Sequence, residues 1–428
     1  MEENRREEDK WHKLDNTAKI YPVIASSQLS SVYRMSVTLK EKIDPKKLQQ
    51  AVEIVTPWFE IFHVRLRRGV FWYYYETNKK LPKIEEEFTY PCRYIDPYSN
   101  NQYLFRVSYY ECRINLEVFH GLTDGNGAIL FLKELLYQYL RLAHREELSF
   151  LLDMPSQDAS FNMEDSYQKY YKKMKTEGYG KEYAYQLKGD ALGGLKVGVL
   201  HGYIDLKSLK RVCKGYQVSV TQYFLAVLIE SIYVENMNKQ PSSLPIRINM
   251  PVNLRAFFES TTIRNFFAAV IVGFLAEKEE YTFEEILDCV KAGSEKELTK
   301  ERLEKLISYN VGNEKHWYLR MLPLFIKNIG IKVIYEHSAK GFTTTISNLG
   351  IIKVLPEYQP YVERFHFIMG VSKKQPMKCI VCSYQEEIVF TFSSVLEDTS
   401  IQRHFFKKLS EHGIAVKVES NGVYYEMV

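Results

Sequence analysis

Cysteine is scarce in this chain, and the spacing of the few that occur excludes several classes of protein. The sequence has 6 cysteines in 428 residues, and only Cys379 and Cys382 lie close together. A zinc site would need two further ligands nearby, and no second pair follows. So few cysteines in a large chain are typical of a reducing compartment rather than of a disulfide-stapled secreted domain. We therefore expect structural thiols and no metal site.

Long apolar runs and a strong excess of one charge are missing as well. The longest uncharged apolar stretches, near 216–229 and 265–276, are shorter than the roughly 18 residues that a membrane span needs. Residues 1–10 are densely charged and lack the apolar core of a secretory signal. With 57 basic against 53 acidic residues and no dense basic stripe, the chain gives no reason to expect nucleic-acid binding. We expect a cytoplasmic protein without a transmembrane segment.

The length and the alternation of helical and extended patterns predict two α/β halves. A chain of 428 residues is too long for one ordinary core. We place the first half at 1–160, beginning with a charged tail of about thirty residues, and the second at 197–428. Between them, residues 161–196 are polar and glycine-containing, as expected of a crossover. The second half should include one long helix over 282–309 and another over 317–329, and the crossover a short one near 164–175.

The segment from His120 to Gly125 carries the main chemical signal. It follows an apolar-polar alternation over 113–119, which predicts a strand, and precedes a helical pattern that begins near Gly127. A histidine at the end of a strand, followed by a tight turn, is placed to face a cleft. Its imidazole can accept a proton near neutral pH, which makes His120 the candidate general base.

Several segments together resemble a known superfamily. The spacing His120–Asp124–Gly125 resembles the HxxxDG signature of the CoA-dependent acyltransferases. The segments Phe71–Tyr74, Pro251–Arg255, Arg264–Phe266 and Thr345–Gly350 are similar, in order and spacing, to segments of its bacterial alcohol acetyltransferase and condensation-domain branches. The plant-branch motif Asp-Phe-Gly-Trp-Gly is absent. The resemblance implies two chloramphenicol acetyltransferase-like domains of α+β type, each a mixed sheet with helices, and an active site at their interface.

The resemblance also implies an activity. It predicts an enzyme, an O-acyltransferase (EC 2.3.1.-), that moves an acyl group, acetyl first of all, from a CoA thioester to an alcohol. His120 would deprotonate the acceptor directly, so that no acyl-enzyme forms. Acyl-CoA would be a co-substrate, and no cofactor would be permanently bound. The aromatic content of 14% is compatible with an alcohol, a sugar, a phenol or an amine as acceptor.

The same resemblance assigns roles to the neighbouring residues. Asp124 would turn away from His120 and pair with Arg255, holding the turn in shape, and Gly125 would permit a backbone geometry that a side chain would block. Arg255 as a solvent-facing residue is the alternative. Ser347 and Asn348 would stabilise the oxyanion or line the donor tunnel, unless residues 348–350 only form a turn after a strand.

Two other functions remain open at this point. A condensation-like enzyme would take its acyl group from a carrier-protein thioester and pass it to an amine or a hydroxyl, and the carrier protein would be supplied in trans. A non-catalytic binding protein of the same fold would keep the His-Asp turn for its shape alone. Retention of His120, Asp124 and Gly125 together favours an enzyme over the binding protein.

Overall fold

The computed structural model describes residues 10–148, 154–176, 178, 182–194, 196–316 and 321–424. Residues 1–9 of the predicted charged tail and residues 317–320 of the predicted helix over 317–329 lie outside this description. In chain order, the strands are β1 (Trp11–Lys13), β2 (Val32–Leu39), β3 (Val64–Arg68), β4 (Tyr73–Thr77), β5 (Ile84–Glu86), β6 (Phe105–Tyr110), β7 (Arg113–Phe119), β8 (Gly198–Asp205), β9 (Ile246–Asn253), β10 (Phe267–Phe274), β11 (Thr344–Ile351), β12 (Val362–Met369), β13 (Met377–Tyr384), β14 (Glu387–Ser394) and β15 (Val416–Ser420).

The helices alternate with these strands along the chain. They are α1 (Tyr21–Ile24), α2 (Pro45–Val55), α3 (Gly125–Ala143), α4 (Arg145–Leu148), α5 (Ser166–Tyr170), α6 (Leu206–Gly215), α7 (Val220–Glu235), α8 (Phe283–Glu297), α9 (Lys300–Glu314), α10 (Leu324–Ala339) and α11 (Ser400–Glu411). No single helix in the described part of the chain is long and apolar enough to cross a membrane. Helices α6 and α7 meet that length and composition only as a pair bent by 83°.

The first half is built on a five-stranded sheet in the order β12–β2–β7–β6–β5. Strands β6 and β7 form an antiparallel hairpin that includes the strand predicted over 113–119, and β7 pairs with β2 in the centre of the sheet. Helix α2 begins at Pro45, because the side chain of Asp44 accepts hydrogen bonds from the amides of Lys46 and Lys47. Its buried stripe and helix α3 pack against the apolar face of the sheet. A small sheet, β1–β4–β3, lies beside it.

The second half is built on a seven-stranded sheet in the order β10–β9–β11–β13–β14–β8–β15. Its two faces belong to different cores, as alternation along β13 shows. Cys379 and Val381 pack with the second-half helices, whereas Ile380 and Cys382 belong to the first-half core. The two close cysteines therefore point to opposite faces, as their spacing predicts. This sheet forms one wall of the junction between the halves.

Strand β12 joins the two halves more closely than a simple linker would. It lies within the predicted second half, yet it pairs antiparallel with β2 at the edge of the first sheet. Seven residue pairs connect the strands, from Val362 opposite Leu39 to Met369 opposite Tyr33. The first sheet is thus completed by a segment more than 300 residues distant along the chain. The halves cannot separate without breaking this pairing.

Four predicted elements differ from the structure. The long helix expected over 282–309 is two helices, α8 and α9, because the side chain of Thr299 accepts from the amide of Arg302 and starts a new helix. The helix expected over 317–329 begins at Leu324 among the described residues and continues to Ala339, and the one expected near 164–175 is limited to α5. Residues 10–30 are not a tail, since β1 pairs with β4 and α1 packs against α10.

Candidate active site

His120 lies where the chain leaves the central strand β7, at the junction of the two halves. Its amide donates to the main-chain oxygen of Ser31 at 2.8 Å, which fixes the backbone. The ring of Tyr21 stacks on the imidazole with centroids 4.6 Å apart, and Tyr33 meets it edge-on at 5.1 Å. Phe267 from the second half stands 5.6 Å away. Aromatic rings from both halves therefore hold the imidazole in one orientation.

The surroundings of His120 keep its imidazole neutral. Burial lowers the pKa of His120 to about 4, and the charge of Lys378 acts in the same direction. Its own carbonyl, Asp124 and the side chain of Asn265 raise the pKa, without cancelling the effect of burial. The Nδ1 atom is buried and has no hydrogen-bond partner in the described part of the chain, while the residue as a whole is partly accessible. Nε2 is then the nitrogen that can meet a substrate, and near pH 7 it can accept a proton.

Asp124 turns away from the imidazole and connects the two halves. Its Oδ1 caps α3 by accepting from the amides of Asn126 at 3.1 Å and Gly127 at 3.2 Å. Its Oδ2 accepts from Nη1 of Arg255 at 2.8 Å and from the amide of Phe266, also at 2.8 Å. Arg255 is not solvent-facing, because its side chain is 9% exposed. The structure thus brings together the aspartate and arginine that the resemblance pairs.

Arg255 has further partners in the second half. Its Nε donates to the main-chain oxygen of Thr262 at 2.9 Å, and its Nη2 donates to that of Arg264 at 2.6 Å. Most of the hydrogen-bonding capacity of the guanidinium is therefore used on fixed acceptors. The pair holds the turn after His120 to the segment between β9 and β10.

The glycines of the motif are required for space. Gly125 has no left-handed φ, so the expected special backbone geometry is not what the structure shows. A Cβ atom there would lie 2.7 Å from the side-chain end of Leu349, across the junction. The tighter position is Gly127, where a Cβ would lie 2.2 Å from the main-chain oxygen of Ile263. Both glycines let α3 approach the second half closely.

Ser347 and Asn348 lie on β11 but point to opposite faces of the sheet. Ser347 shares its face with Leu349, which contacts the turn after His120, so Ser347 faces the junction. Asn348 points the other way. Its Nδ2 donates to Oγ1 of Thr221 at 2.9 Å, and its Oδ1 accepts from the amide of Gly350 at 2.8 Å. This corrects the expected placement of Asn348 at the oxyanion, because its side chain is engaged on the far face.

A row of polar side chains crosses the second sheet on the face that meets the first half. Asn249, Thr345, Lys378 and Ser393 are successive partners on β9, β11, β13 and β14, so they share one face. Oδ1 of Asn249 and Oγ of Ser393 are buried and have no hydrogen-bond partner among the described residues. Such atoms cost free energy unless a ligand or water satisfies them. The row thus offers hydrogen-bonding groups on the wall that carries Lys378.

Lys378 is the charged member of this row. Its Nζ donates to the main-chain oxygen of Gly370 at 2.9 Å. Burial lowers the pKa of Lys378 to about 8, so the ammonium form still dominates at pH 7. Since its charge lowers the pKa of His120, the two groups lie within electrostatic reach of each other. A fixed positive charge near the imidazole favours negative charge developing between them.

A cavity of about 660 Å³ opens beside this site and is lined by residues of both halves. Two lining residues are close in sequence to residues that contact His120. Ser30 lines the cavity and precedes Ser31, whose main-chain oxygen accepts from the His120 amide. Val23 of α1 also lines it, and Tyr21 of the same helix stacks on the imidazole. His120 itself does not line the cavity. Basic residues surround it: Arg93, Lys196, Lys332, Lys373 and Lys374.

Sequence reasoning missed three contributors to this site. Tyr21 lies in a segment taken as tail, and only the Tyr-Pro start of a helical turn was available as a signal. Lys378 and Asn249 lie on strands without any local motif. Asn265 was singled out only as a minor member of the Arg264–Phe266 segment. Its Nδ2 donates to Asp15 at 3.1 Å, and burial raises the pKa of that carboxyl to about 6.

The architecture, two lobes with mixed sheets and helices, is the fold of condensation domains among the solved structures. The polyketide synthase associated protein 5 from Mycobacterium tuberculosis superposes with a TM-score of 0.61 and 12% identity over 93% of this chain and 96% of that one. The first condensation domain of the CDA synthetase gives 0.58 and 12% over 94% and 96%.

A third similar structure is a wax ester synthase/diacylglycerol acyltransferase from Marinobacter aquaeolei VT8, with a TM-score of 0.54 and 13% identity over 94% of this chain and 100% of that one. At such identities the likeness establishes the fold. No family model matches the sequence, and no curated protein matches it.

Proposed function

We propose that this protein is an acyltransferase that passes an acyl group from a thioester to a hydroxyl, with His120 as the general base. The supporting observation is the imidazole itself: neutral at physiological pH, partly accessible, and held by aromatic rings where the two halves meet. An alcohol is a poor nucleophile until a base removes its proton, and a neutral histidine suits that task. The shared fold with a wax ester synthase and condensation domains is consistent with this chemistry.

The reaction needs one base and one region of positive potential. Nε2 of His120 accepts the hydroxyl proton while the oxygen attacks the thioester carbonyl. The C–O bond forms, and the carbonyl oxygen becomes an oxyanion near the polar row and the Lys378 charge. Collapse breaks the C–S bond, and the imidazolium returns its proton to the departing thiolate. The products are an ester and a free thiol, so no acyl-enzyme and no other reactant are needed.

Acyl-CoA is the donor that we propose. The 660 Å³ cavity has basic residues around it, and the phosphates of CoA carry the complementary charge. Its end lies beside Ser30 and α1, next to the groups that contact His120. The thioester could then extend from the cavity toward the imidazole. An exposed ionic contact of this kind weakens as salt is added.

Thiol release tests the proposal directly. Acetyl-CoA and longer acyl-CoAs are incubated with a panel of alcohols and amines, and free thiol and ester are both measured. We expect acceptor-dependent thiol release that falls at least 100-fold in His120→Ala. His337→Ala, which removes an exposed histidine, serves as the matched control and should retain full activity. Equal thiol release by the wild type and His120→Ala would contradict the assignment.

A carrier-protein donor is the second candidate, favoured by the condensation domains among the similar structures. The two donors differ in the charge that they would bring to the cavity, because CoA carries several phosphates there. With acyl-CoA we expect KM to rise with salt, and Lys373→Gln/Lys374→Gln to raise it further. An acyl-pantetheine thioester that reacts equally well, with no salt dependence, would favour the carrier. Binding of acyl-CoA without turnover of any acceptor would indicate a binding protein instead.

A further inference from the structure

Helix α10 exposes its apolar side to solvent. Phe325 is 58% exposed, Ile329 64%, Val333 62% and Ile334 66%, and Ile326 is also exposed at 41%. With 100° per residue, these five side chains occupy about half of the helix circumference. Helices of globular proteins normally turn that side toward the core. The exposed side of α10 is therefore arranged for a partner.

The opposite side of α10 is firmly attached, so the exposure is not the result of a loosely packed helix. The amide of Leu324 donates to the main-chain oxygen of Val70 at 2.9 Å, and Nζ of Lys327 donates to that of Phe71 at 3.1 Å. Lys327 also lies 3.5 Å from the centre of the Trp72 ring. Asn328 donates to the Tyr73 hydroxyl at 3.2 Å. Polar groups thus hold the helix to the β3–β4 hairpin with the apolar side outward.

The tip of the same hairpin extends this surface. Val70 is 72% exposed and Phe71 43%, and both belong to the segment bonded to the start of α10. We call the combined surface the apolar platform. It comprises Val70, Phe71, Phe325, Ile326, Ile329, Val333 and Ile334. A contiguous exposed surface of this kind marks an interaction site rather than scattered surface residues.

Positive charges stand around the apolar platform. Arg68, Lys332, Lys340 and Lys373 make no direct ion pair among the residues that the structure describes. The nearby Glu336 is paired with Lys374 at 2.8 Å, and the charges of Lys332 and Lys340 also act on its carboxylate. In a dimer formed through this surface, the cations of one copy would lie against the same cations of the other copy. Glu336 and His337 are also exposed on this side of α10, and Lys374 neutralises the Glu336 carboxylate. Apolar side chains bordered by lysine and arginine fit an anionic lipid surface.

We propose that the apolar platform docks the protein onto an anionic lipid surface, with α10 lying in the plane of the interface. Lys332 and Tyr335 of α10 line the 660 Å³ cavity, and α10 packs on α1, whose Tyr21 covers His120. Docking therefore places the cavity mouth at the lipid layer, where apolar substrates are concentrated. The docking is independent of the chemistry at His120.

Vesicle sedimentation tests the docking with the full-length chain. Vesicles of phosphatidylcholine alone are compared with vesicles of phosphatidylcholine and phosphatidylglycerol. We expect binding to the anionic vesicles, weakened by salt, and at least a tenfold loss in Ile329→Glu/Val333→Glu. Val418→Glu, at another exposed apolar position on β15, is the matched control and should bind as the wild type does. Arg68→Gln/Lys340→Gln should lose the preference for anionic lipid.

Two further measurements keep the result unambiguous. Thiol release from a soluble acetyl-CoA should be unchanged in Ile329→Glu/Val333→Glu, so a failed docking test and a failed acyltransferase assay are distinguishable. Light scattering gives the oligomeric state without lipid. Absence of vesicle binding, equal binding by Ile329→Glu/Val333→Glu, or a shift from dimer to monomer in that variant without any vesicle binding would overturn the proposal.

Discussion

At the scale of single residues, the proposed reaction depends on the protonation state of the His120 imidazole, whose pKa is lowered by some neighbours and raised by others. Burial and the charge of Lys378 lower the pKa of His120, while its own carbonyl, Asp124 and Asn265 raise it. The result is a base that is available over the whole physiological range but is weaker than free histidine. A tyrosine stacked on one face of the ring limits water access to it. These features agree with the proposed role of His120 in deprotonating an alcohol.

The Lys378 charge provides a residue-scale prediction. In the wild type, kcat/KM should fall only as the pH drops through about 4, where His120 takes up its proton. Lys378→Met removes a charge that lowers this pKa, so the acid limb should move upward by several tenths to about one pH unit. The pH profile of thiol release measures the shift. Lys373→Met removes an exposed cation and should leave the acid limb of the pH profile in place. If the acid limb stays or moves downward in Lys378→Met, the assignment of that limb to His120 beside Lys378 is wrong.

At the scale of elements, the turn after β7 is fixed by contacts with the second half. Asp124 caps α3 with one carboxylate oxygen and binds Arg255 and the Phe266 amide with the other. The carboxylate is thus a support for the loop rather than a partner of the imidazole. Gly125 and Gly127 allow the start of α3 to approach the second sheet. The position of His120 then follows from the fit of α3 against β11 and the β9–β10 segment.

Removing one charge of the Asp124–Arg255 pair should act on stability first. Both side chains are under 10% exposed, and Asp124→Asn leaves the guanidinium without its counter-charge. Such losses cost about 3–5 kcal/mol. We expect a similar loss in Arg255→Met and a double variant less destabilised than the sum of the two, measured by denaturant unfolding. Full stability with no turnover in Asp124→Asn would show instead that the carboxylate acts in the chemistry.

The two glycines should differ in how well they tolerate a methyl group. At Gly127 the new Cβ would press on the main-chain oxygen of Ile263, which cannot move freely. At Gly125 it would meet the flexible end of the Leu349 side chain. We expect Gly127→Ala to cost about 1–3 kcal/mol more than Gly125→Ala. Thermal unfolding of the two variants measures the difference, and equal melting temperatures would show that the junction is looser than these distances indicate.

At the scale of the whole molecule, local signals and long-range pairing differ in how far they can be predicted. The β6–β7 hairpin, the Asp44 cap and the start of α7 at Ser219 follow from residues a few positions apart, so sequence patterns predict them. The Asp124–Arg255 pairing followed from resemblance, because 131 positions separate the two residues and no spacing rule links them. Insertion of β12 beside β2 and the placement of Lys378 near His120 depend on sheet order, which no local pattern encodes.

The exchanged strand also brings a pair of histidines into the junction between the sheets. His366 on β12 and His201 on β8 have ring centroids 4.7 Å apart. Nε2 of His366 is hydrogen-bonded to the Tyr203 hydroxyl at 3.0 Å, and Nδ1 of His201 to Thr391 at 2.8 Å. Burial lowers the pKa of His366 to about 2, and that of His201 to about 4. Both rings are therefore neutral in the folded protein at any physiological pH.

Charged groups around this histidine pair contribute, on balance, to the lowered pKa values of His366 and His201. Arg113 and Arg364 disfavour a proton on either ring, whereas Glu419 favours one on His201 only. In the unfolded chain both histidines titrate near 6.5. Below that pH the unfolded state binds protons that the folded state does not bind, so the free energy of unfolding decreases as the pH falls. His404 acts in the opposite direction, because the carboxylates of Glu230 and Glu235 beside it raise its pKa.

Acidification should therefore destabilise the protein at the junction of its halves from about pH 6 downward, where histidines take up protons in the unfolded chain. Each of the two histidines reduces the free energy of unfolding by about 1.4 kcal/mol per pH unit between roughly pH 6 and pH 4. Denaturant unfolding at a series of pH values measures the slope. His366→Gln removes one titrating group and should lessen the slope, while His337→Gln, on the exposed part of α10, should not. An unchanged slope in His366→Gln would mean that the exchanged strand β12 does not set the acid sensitivity of the fold.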